Sequence, residues 1–465
     1  MNNLKVQQNS YKNSESWTDD LPICKNTGIG FSTNQIYRED GHPQEEHPYE
    51  DYSCHFRFSD DFYWYAVFDG HEGKRAADFC SQRMTADVLF SDINEKQSDE
   101  EVRDFIRQAF QNVETGYMET LGDLFAERIK IQCNDIPEGL STYEACRKMP
   151  EVMKKIKDLN CELASGTAAA VALISKNKLY VANVGNCRVL LCQTDANSVL
   201  KVVQLSIDHD LSNEDELLRL SHIGINPRLF QHKSRLGNQE NTRCLGNCAV
   251  KGEYKQFDDL AVASQEPVIA EPDIHGGILL DESCRFLLLM TAGLYKSVEE
   301  AIETDKVNQY IAQCVVEQFR EQATLTGVAQ AVVDKVVRLH HDWYMSNSCN
   351  KSRTPKREDI TLVLRNFNFP MPNALKSPTK PTVQFSTTVL TNQISNSDSS
   401  QHTLTNLNTI STLSRTNTTS SSEAKTEVED DIGPDQKIAP YVDFDDFYKS
   451  FDMAKRDGTL PYGLA

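Results

Sequence analysis

The sequence has no long hydrophobic run and no surplus of basic residues. Its 465 residues include 48 Lys and Arg against 68 Asp and Glu, which gives a formal net charge of −20. A surface this acidic argues against nucleic acid or an anionic membrane as the main partner. No apolar stretch approaches the roughly 18 residues that a membrane span needs, and the N-terminal residues lack the apolar core of a signal peptide. We therefore expect a cytoplasmic protein without a membrane span.

Paired cysteine motifs are also missing. The chain has 13 cysteines, an odd number, and none of them forms a Cys-x-x-Cys pair. Cys244 and Cys248 lie four residues apart, but no second pair with zinc-ligand spacing accompanies them. We expect reduced thiols, most of them small residues of the core.

The composition changes abruptly after Pro372, where Ser, Thr, Asn, Gln and Pro replace clustered apolar residues. Such a stretch cannot bury enough apolar surface to offset its ordering entropy, so we expect disorder. It contains Ser377-Pro378, a candidate site for a proline-directed kinase. The expected organisation is a flexible N-terminus (1–16), a folded domain (17–368), a disordered linker (369–435) and a C-terminal segment (436–465).

Hydrophobic patterns within the folded domain predict both strands and helices. Continuous apolar runs predict strands at Tyr63–Phe68, Ala168–Ile174, Lys178–Val184, Val189–Cys192, Val202–Leu205, Arg285–Met290 and Ile360–Leu364. Three- and four-residue spacing predicts helices at Arg75–Leu89, after the capping box at Ser98, and at Asn213–Ile223, Val298–Glu321 and Gly327–Tyr344. Residues 130–160 are polar and contain two prolines, so we expect a variable surface segment there. Together these elements predict a layered α+β sandwich with antiparallel sheets inside.

The strand at Tyr63–Phe68 ends in an acidic, glycine-containing turn, Asp69-Gly70-His71-Glu72-Gly73. A carboxylate, an exposed carbonyl and a histidine on one turn suit a hard cation such as Mg²⁺ or Mn²⁺. Taken alone, the spacing favours an ordinary strand and turn.

Several motifs occur in a set order: Glu39-Asp40, Val67-Phe68-Asp69-Gly70-His71-x-Gly73, Ser165-Gly166-Thr167-Ala168, Asn183-x-Gly185-Asn186-x-Arg188, Asp208-His209 and Leu245-Gly246-Asn247. Over roughly residues 20–368 the chain resembles the metal-dependent serine/threonine protein phosphatases of type 2C. That resemblance implies an α-β-β-α sandwich. It also implies that Glu39, Asp69 and the Gly70 carbonyl occupy metal-binding positions, with Glu358 at the last ligand position and His71 as the proposed general acid.

The same resemblance exposes departures from an active site. Gln35 stands where the family has a phosphate-binding arginine, and Asn186 and Asn247 each replace an aspartate. Ala292 stands where the family has a metal-binding aspartate, and Lys296 places a positive charge nearby. Loss of a carboxylate and of an arginine weakens both the cation site and the grip on a phosphoryl group. We expect an inactive phosphatase-like domain with no required cofactor, in which the remaining ligands bind at most a single weak Mg²⁺ or Mn²⁺.

The C-terminal segment regains aromatic residues after the polar linker. Pro440 suits a helix start, and on such a helix the aromatic side chains form one apolar stripe: Tyr441, Phe444, Tyr448 and Phe451, with Val442 and Phe447 beside it. With this motif, the chain resembles the inactive, kinase-docking branch of the phosphatase family. That resemblance implies a partner of the TGF-β-activated kinase type, a MAP kinase kinase kinase, and further MAP kinases.

Three functions are therefore open at this point. The first is a non-catalytic adaptor that binds and activates such a kinase through the C-terminal helix. The second is a weak Mn²⁺- or Mg²⁺-dependent protein serine/threonine phosphatase. The third is a generic cytosolic adaptor whose aromatic tail packs back on its own domain.

Overall fold

The computed structural model describes Leu21 and residues 24–38, 42–59, 61–96, 98–137, 139–230, 235–346 and 356–372. The predicted flexible N-terminus, the predicted linker from residue 373 onward, with Ser377, and the aromatic stripe of the C-terminal segment lie outside these ranges. Glu39, the first predicted metal ligand, lies outside them as well.

The described chain alternates between strands and helices. The strands are β1 (Thr27–Ser32), β2 (Gln35–Tyr37), β3 (Pro43–Gln44), β4 (Tyr52–Ser59), β5 (Phe62–His71), β6 (Gly166–Ser175), β7 (Lys178–Val184), β8 (Arg188–Thr194), β9 (Leu200–Gln204), β10 (Leu245–Gly246), β11 (Asp273–Leu279), β12 (Cys284–Met290), β13 (Lys356–Arg357) and β14 (Ile360–Asn366). The helices are α1 (Arg75–Leu89), α2 (Asp99–Glu119), α3 (Gly122–Asn134), α4 (Thr142–Lys148), α5 (Pro150–Ala164), α6 (Glu214–His222), α7 (Ala292–Ile302), α8 (Val307–Glu321) and α9 (Leu325–Ser346).

Two antiparallel sheets form the centre of the domain. One has the strand order β1-β14-β12-β8-β9, and the other has the order β11-β7-β6-β5-β4 with β10 paired to β6. Helices α1 and α2 pack on the outer face of the second sheet, while α7, α8 and α9 pack on the outer face of the first. This is the predicted α-β-β-α sandwich.

The apolar strand runs follow from this layering, because each central strand is covered on both faces. In β5, Trp64, Ala66 and Phe68 face the helices, whereas Tyr65 and Val67 face the other sheet. β12 repeats the arrangement, with alternate residues in the helix-side core and in the core between the sheets. A strand with two buried faces needs apolar residues at every position, which is why these runs were readable.

Several local predictions are confirmed. Helix α1 has the predicted bounds, and the capping box of Ser98 and Glu101 opens α2. The turn between β6 and β7 places Lys176 and Asn177 at positive φ, as a tight hairpin turn requires. The described cysteines are free, and most of them are buried. Within the described ranges, no helix combines the length and the apolar character needed to cross a bilayer.

One prediction was incomplete and another was wrong. Residues 130–160 lie mostly on the surface, as predicted, but most of them form the helices α3, α4 and α5. Pro150 occupies the first turn of α5, where its missing N–H costs nothing. The segment predicted as one helix at Val298–Glu321 forms two helices, α7 and α8. Helix α7 starts earlier than predicted, at Ala292, and it ends where Glu303 adopts a left-handed conformation.

Candidate functional site

The predicted site lies at one edge of the sandwich, where two strands end and a third begins. Asp69 is close to the C-terminal end of β5 in one sheet. In the other sheet, β12 leads directly into α7 at Ala292, and Glu358 and Asp359 immediately precede β14. Because β12 and β14 pair with each other, these residues of the first sheet are held side by side opposite Asp69 of the second.

Asp69 is hydrogen-bonded to the N-terminus of a helix. One of its oxygens accepts a hydrogen bond from the backbone N–H of Ala292 at 2.7 Å. Ala292 is the first residue of α7, and a helix N-terminus favours a neighbouring negative charge. Burial, followed by the nearby Glu358 carboxylate, nevertheless raises the pKa of Asp69 to about 7.

Two further carboxylates lie behind Asp69. Asp51 is buried and accepts hydrogen bonds from the hydroxyls of Thr291 and Thr361, both at 2.8 Å. Burial, together with Asp69 and Asp359, holds the pKa of Asp51 well above its usual range. Asp359 accepts from the backbone and side-chain nitrogens of Asn34 at 2.6 and 2.9 Å. We call Asp51, Asp69, Glu358 and Asp359 the carboxylate half of the site.

Lys296 supplies the positive charge of the carboxylate half. Its Nζ lies 3.2 Å from Glu358 Oε2 and 2.8 Å from Glu240 Oε2. Burial acts to lower the pKa of Lys296, but the two facing carboxylates hold it above its ordinary value. The predicted last metal ligand, Glu358, is therefore engaged by a lysine of α7.

The neighbouring part of the site is built from neutral amides. We call Asn186, Asn238, Gln239, Asn241 and Asn247 the amide half of the site. Asn241 donates to Asn186 Oδ1 at 3.1 Å, and Asn247 donates to Asn238 Oδ1 at 3.0 Å and to Gln239 Oε1 at 2.9 Å. The two asparagines that replace family aspartates thus belong to one hydrogen-bonded network.

His71 lies against the amide half. Its Nε2 is 3.3 Å from Asn247 Nδ2, and burial lowers the pKa of His71 to about 4. An imidazole with that pKa is neutral at pH 7. At pH 7 His71 therefore carries no imidazolium proton to donate to a leaving group.

Two glycines let the surrounding backbones approach each other. A Cβ on Gly70 would lie 2.4 Å from the backbone oxygen of Glu50. A Cβ on Gly293 would lie 2.0 Å from the backbone oxygen of Asp359. Both positions therefore exclude a side chain, and Gly293 fixes the close contact between α7 and the segment that precedes β14.

The described residues do not fit a two-cation centre. Such a centre needs several carboxylates turned toward one place. Within the described ranges, no group of three or more His, Cys, Asp or Glu side chains is arranged to hold a metal ion. Asp69 is directed to a backbone N–H, and Glu358 to Lys296. In the carboxylate half, Asp51 Oδ1 is buried without a hydrogen-bond partner among the described residues.

The structure separates the predicted site residues into three groups. Asp69 and Glu358 come together with Lys296 in the carboxylate half. Gly70 lies opposite Thr167 of β6, against the backbone of Glu50. Gln35 lies on β2, opposite Arg357 of β13.

Sequence reasoning missed Asp51, Glu240 and the amides Asn238, Gln239 and Asn241. Asp51 precedes strand β4 as one acid within an acidic loop. Its role depends on Thr361, which lies 310 positions away in the chain. A signal did exist for the amides, because Asn238, Gln239 and Asn241 cluster within four residues just before Leu245-Gly246-Asn247.

Comparisons with known proteins agree with this architecture. Residues 134–338 match the family described as protein phosphatase 2C. The Caenorhabditis elegans protein "TGF-beta-activated kinase 1 and MAP3K7-binding protein 1" is 24% identical over 354 residues, which cover 75% of this chain and 83% of that protein. "Probable protein phosphatase 2C 2" of Paramecium tetraurelia is 28% identical over 291 residues, which cover 62% of this chain and 80% of that protein.

Among solved structures, the chain is similar to the serine-threonine phosphatase 2C of Toxoplasma gondii, with a TM-score of 0.43 and 16% identity, covering 75% of this chain and 98% of that one. The family match and the curated relatives confirm the resemblance indicated by the motifs, and the chain contains a domain with the protein phosphatase 2C fold.

Proposed function

We propose that this protein is a non-catalytic adaptor in the cytoplasm that binds and activates a MAP kinase kinase kinase of the TGF-β-activated kinase type. The observation that carries the proposal is the occupation of the carboxylate half by the protein's own groups. The Ala292 N–H donates a hydrogen bond to Asp69, and Lys296 forms an ion pair with Glu358. A phosphatase-like site in which a backbone N–H and a lysine already engage Asp69 and Glu358 acts as a scaffold rather than as a cation-dependent catalyst.

The charge states of Lys296 and His71 support the same proposal. Phosphoryl transfer needs positive charge that is free to stabilise the phosphoryl oxygens, and a proton for the leaving group. Lys296 is held between Glu358 and Glu240, so its charge is already matched. His71 is neutral at pH 7 because its pKa is about 4. No cation is required by this function, and the remaining carboxylates bind at most one weakly.

The relative from Caenorhabditis elegans supports the kinase part of the proposal, because its name describes a kinase-binding protein. Docking is assigned to the aromatic stripe of the C-terminal segment, by insertion of an amphipathic helix into a groove of the kinase domain. Tyr441, Phe444, Tyr448 and Phe451 form this stripe, with Val442 and Phe447 beside it. Further MAP kinases and phosphorylation of Ser377 stay predictions from the sequence.

The alternative is a weak Mn²⁺- or Mg²⁺-dependent serine/threonine phosphatase. The phosphatase 2C relatives favour it, and so does the unpartnered Asp51 Oδ1, which a water or a single cation would satisfy. The two functions make opposite predictions about turnover.

The first experiment measures phosphate release from a phosphothreonine peptide by the full chain in Mn²⁺, beside an active type 2C phosphatase. We expect wild-type release at the level of the Asp69→Asn variant, since neither has a working cation centre. Release well above that variant would establish the alternative.

The second experiment measures capture of the kinase domain by the full chain. Phe444→Ala should lose most of the binding, because Phe444 is central in the stripe and each buried aromatic contributes about 1.5–3 kcal/mol in gross terms. Phe385→Ala, the same substitution in the linker, should bind like wild type. Equal binding by all three proteins would remove the stripe from the proposal while leaving the phosphatase result intact.

A further inference from the structure

Helices α1 and α2 carry an apolar face that is not part of the candidate site. Two clefts lie between these helices, with volumes of about 690 and 410 Å³. Arg83, Ala86 and Phe90 line both clefts, so the two adjoin. We call this surface the α1–α2 face, and its apolar lining consists of Phe79, Ala86, Phe90, Phe105, Ala109 and Tyr117. A continuous apolar surface of this kind on a folded domain marks a contact with another protein.

Phe90 is the projecting part of the α1–α2 face. It follows the last residue of α1, and its backbone N–H donates to the Ala86 carbonyl oxygen at 3.0 Å. Its side chain is 87% exposed, more than any other large apolar side chain in the described ranges. A partner that covers this ring removes apolar surface from water, which stabilises the complex.

The larger cleft is a recess beside this ring, and aromatic side chains form its wall. Phe79 packs against Tyr117, with ring centroids 5.5 Å apart and planes at 54°. The buried Tyr117 hydroxyl donates to the Ser165 carbonyl oxygen at 3.4 Å. Gly116 lies inside α2, where a Cβ would come within 3.6 Å of the Phe79 ring. Because glycine weakens a helix interior, this space beside Phe79 stays open at a cost in helix stability.

The charges on the α1–α2 face indicate which partner fits it. Its charged lining residues are two cations, Arg75 and Arg83, and two anions, Asp78 and Asp87. Arg83 also pairs with Asp87 at 2.9 Å. Two copies of a chain with a net charge of −20 repel each other across most of their surfaces. A face on which cations and anions balance is where two such copies can meet.

We propose that the α1–α2 face binds a second copy of this chain in a two-fold symmetric pair. In such a contact one surface serves both copies, so it must carry both the projecting group and the recess that receives it. With α1 antiparallel to α1 of the other copy, Phe90 of each copy reaches the end of the other's larger cleft, beside Arg75 and Thr120. Asp78 then lies near Arg83 of the other copy. The pair does not depend on the proposed kinase docking.

The experiment measures the sedimentation velocity of the full chain across the micromolar concentration range. Wild type should pass from monomer to dimer as its concentration rises. Phe90→Glu replaces the projecting ring by a charge and should raise the dissociation constant at least tenfold. Tyr143→Glu, the same substitution at an aromatic residue of α4 that is 76% exposed, should associate like wild type. Added salt should not weaken the pair, because it screens the repulsion between two acidic chains.

Ala86→Glu provides a second variant, because Ala86 lines both clefts and the substitution leaves Phe90 in place. It should also weaken association at least tenfold, and circular dichroism shows whether each variant keeps its fold. A wild type that stays monomeric at every concentration would overturn the proposal and leave the α1–α2 face to a different protein. Equal association of wild type and a folded Phe90→Glu would overturn it as well, because the two copies would then meet elsewhere.

Discussion

The two halves of the candidate site stabilise their buried polar groups in different ways. The carboxylate half keeps its acids and surrounds them with the Ala292 N–H, threonine hydroxyls, Asn34 and Lys296. The amide half has removed charge, so that Asn186 and Asn247 bond to other amides. A buried charge needs a matched partner, whereas a buried amide needs only hydrogen bonds. In one half the carboxylates are retained and engaged by partners, and in the other half neutral amides replace them.

The comparison also separates fold from chemistry. Both halves depend on backbone segments brought together by the two sheets, and each half keeps one buried oxygen, Asp51 Oδ1 or Asn241 Oδ1, without a hydrogen-bond partner among the described residues. The carboxylate half carries raised pKa values, whereas His71 beside the amide half carries a lowered one. Their responses to pH should consequently have opposite signs.

The largest expected effect is a loss of stability when the backbone contact beside the carboxylate half is disrupted. In Gly293→Ala, the new Cβ would lie 2.0 Å from the backbone oxygen of Asp359, so α7 or the start of β14 must move. We expect the free energy of unfolding to fall by about 3 kcal/mol or more, because a backbone contact cannot relax as a flexible side chain can. Urea denaturation measures this difference.

Gly122→Ala is the matched control for that substitution. Gly122 is the first residue of α3, and a Cβ there meets no atom within 4 Å. Alanine favours a helix over glycine, so we expect unchanged stability or a gain of a few tenths of a kcal/mol. A loss in Gly122→Ala equal to that in Gly293→Ala would mean that the Asp359 contact is not the cause.

The second prediction compares how the stability contributed by each half depends on pH. The folded-state pKa of Asp69, about 7, lies above its unfolded value, so between the two values the folded state holds more protons. Stability from this group is present at low pH and is lost as the pH rises toward 7. Relative to Asp69→Asn, wild type should gain stability between pH 7.5 and 5.5, at up to about 1.4 kcal/mol per pH unit.

His71 should behave in the opposite sense. Its folded-state pKa, about 4, lies below the ordinary value of 6.5. The contribution of neutral His71 is complete above pH 6.5 and is lost as the pH falls toward 4. Relative to His71→Gln, wild type should therefore lose stability between pH 6.5 and 5. Parallel pH profiles for the two differences would show that the halves do not differ as described.

Much of the fold was readable from the sequence because its signals are local. The strand at Tyr63–Phe68 shows as an apolar run because both faces of β5 are buried. Helix α1 and the capping box of α2 follow from spacing and from two residues three positions apart. The early start of α7 was not readable, because the apolar run of β12 continues directly into the apolar residues of the helix.

The site was readable only in part, because its contacts join distant parts of the chain. Asp69 was identified through the turn in which it lies, but its partner Ala292 is 223 positions away. The sequence shows that Ala292 stands where the family has a metal-binding aspartate, yet no sequence pattern indicates that the Ala292 N–H binds the Asp69 carboxylate. The role of Gly293 depends on the approach of Asp359, which only the assembled sheets determine.

The smallest expected effect concerns cations, and it tests whether the carboxylate half is complete in itself. For wild type, we expect the melting temperature in millimolar Mn²⁺ to lie within about 1 °C of that in EDTA, because a ligand stabilises only in proportion to its binding to the folded state. Ala292→Asp adds a carboxylate beside Asp69, and the extra unmatched charge should lower the melting temperature in EDTA. Mn²⁺ should restore part of that loss. Ala126→Asp, which adds a carboxylate on the exposed side of α3, should show no dependence on Mn²⁺. If Mn²⁺ stabilises wild type as strongly as it stabilises Ala292→Asp, then the natural carboxylate half binds the cation, and the two halves differ in ligand as well as in charge.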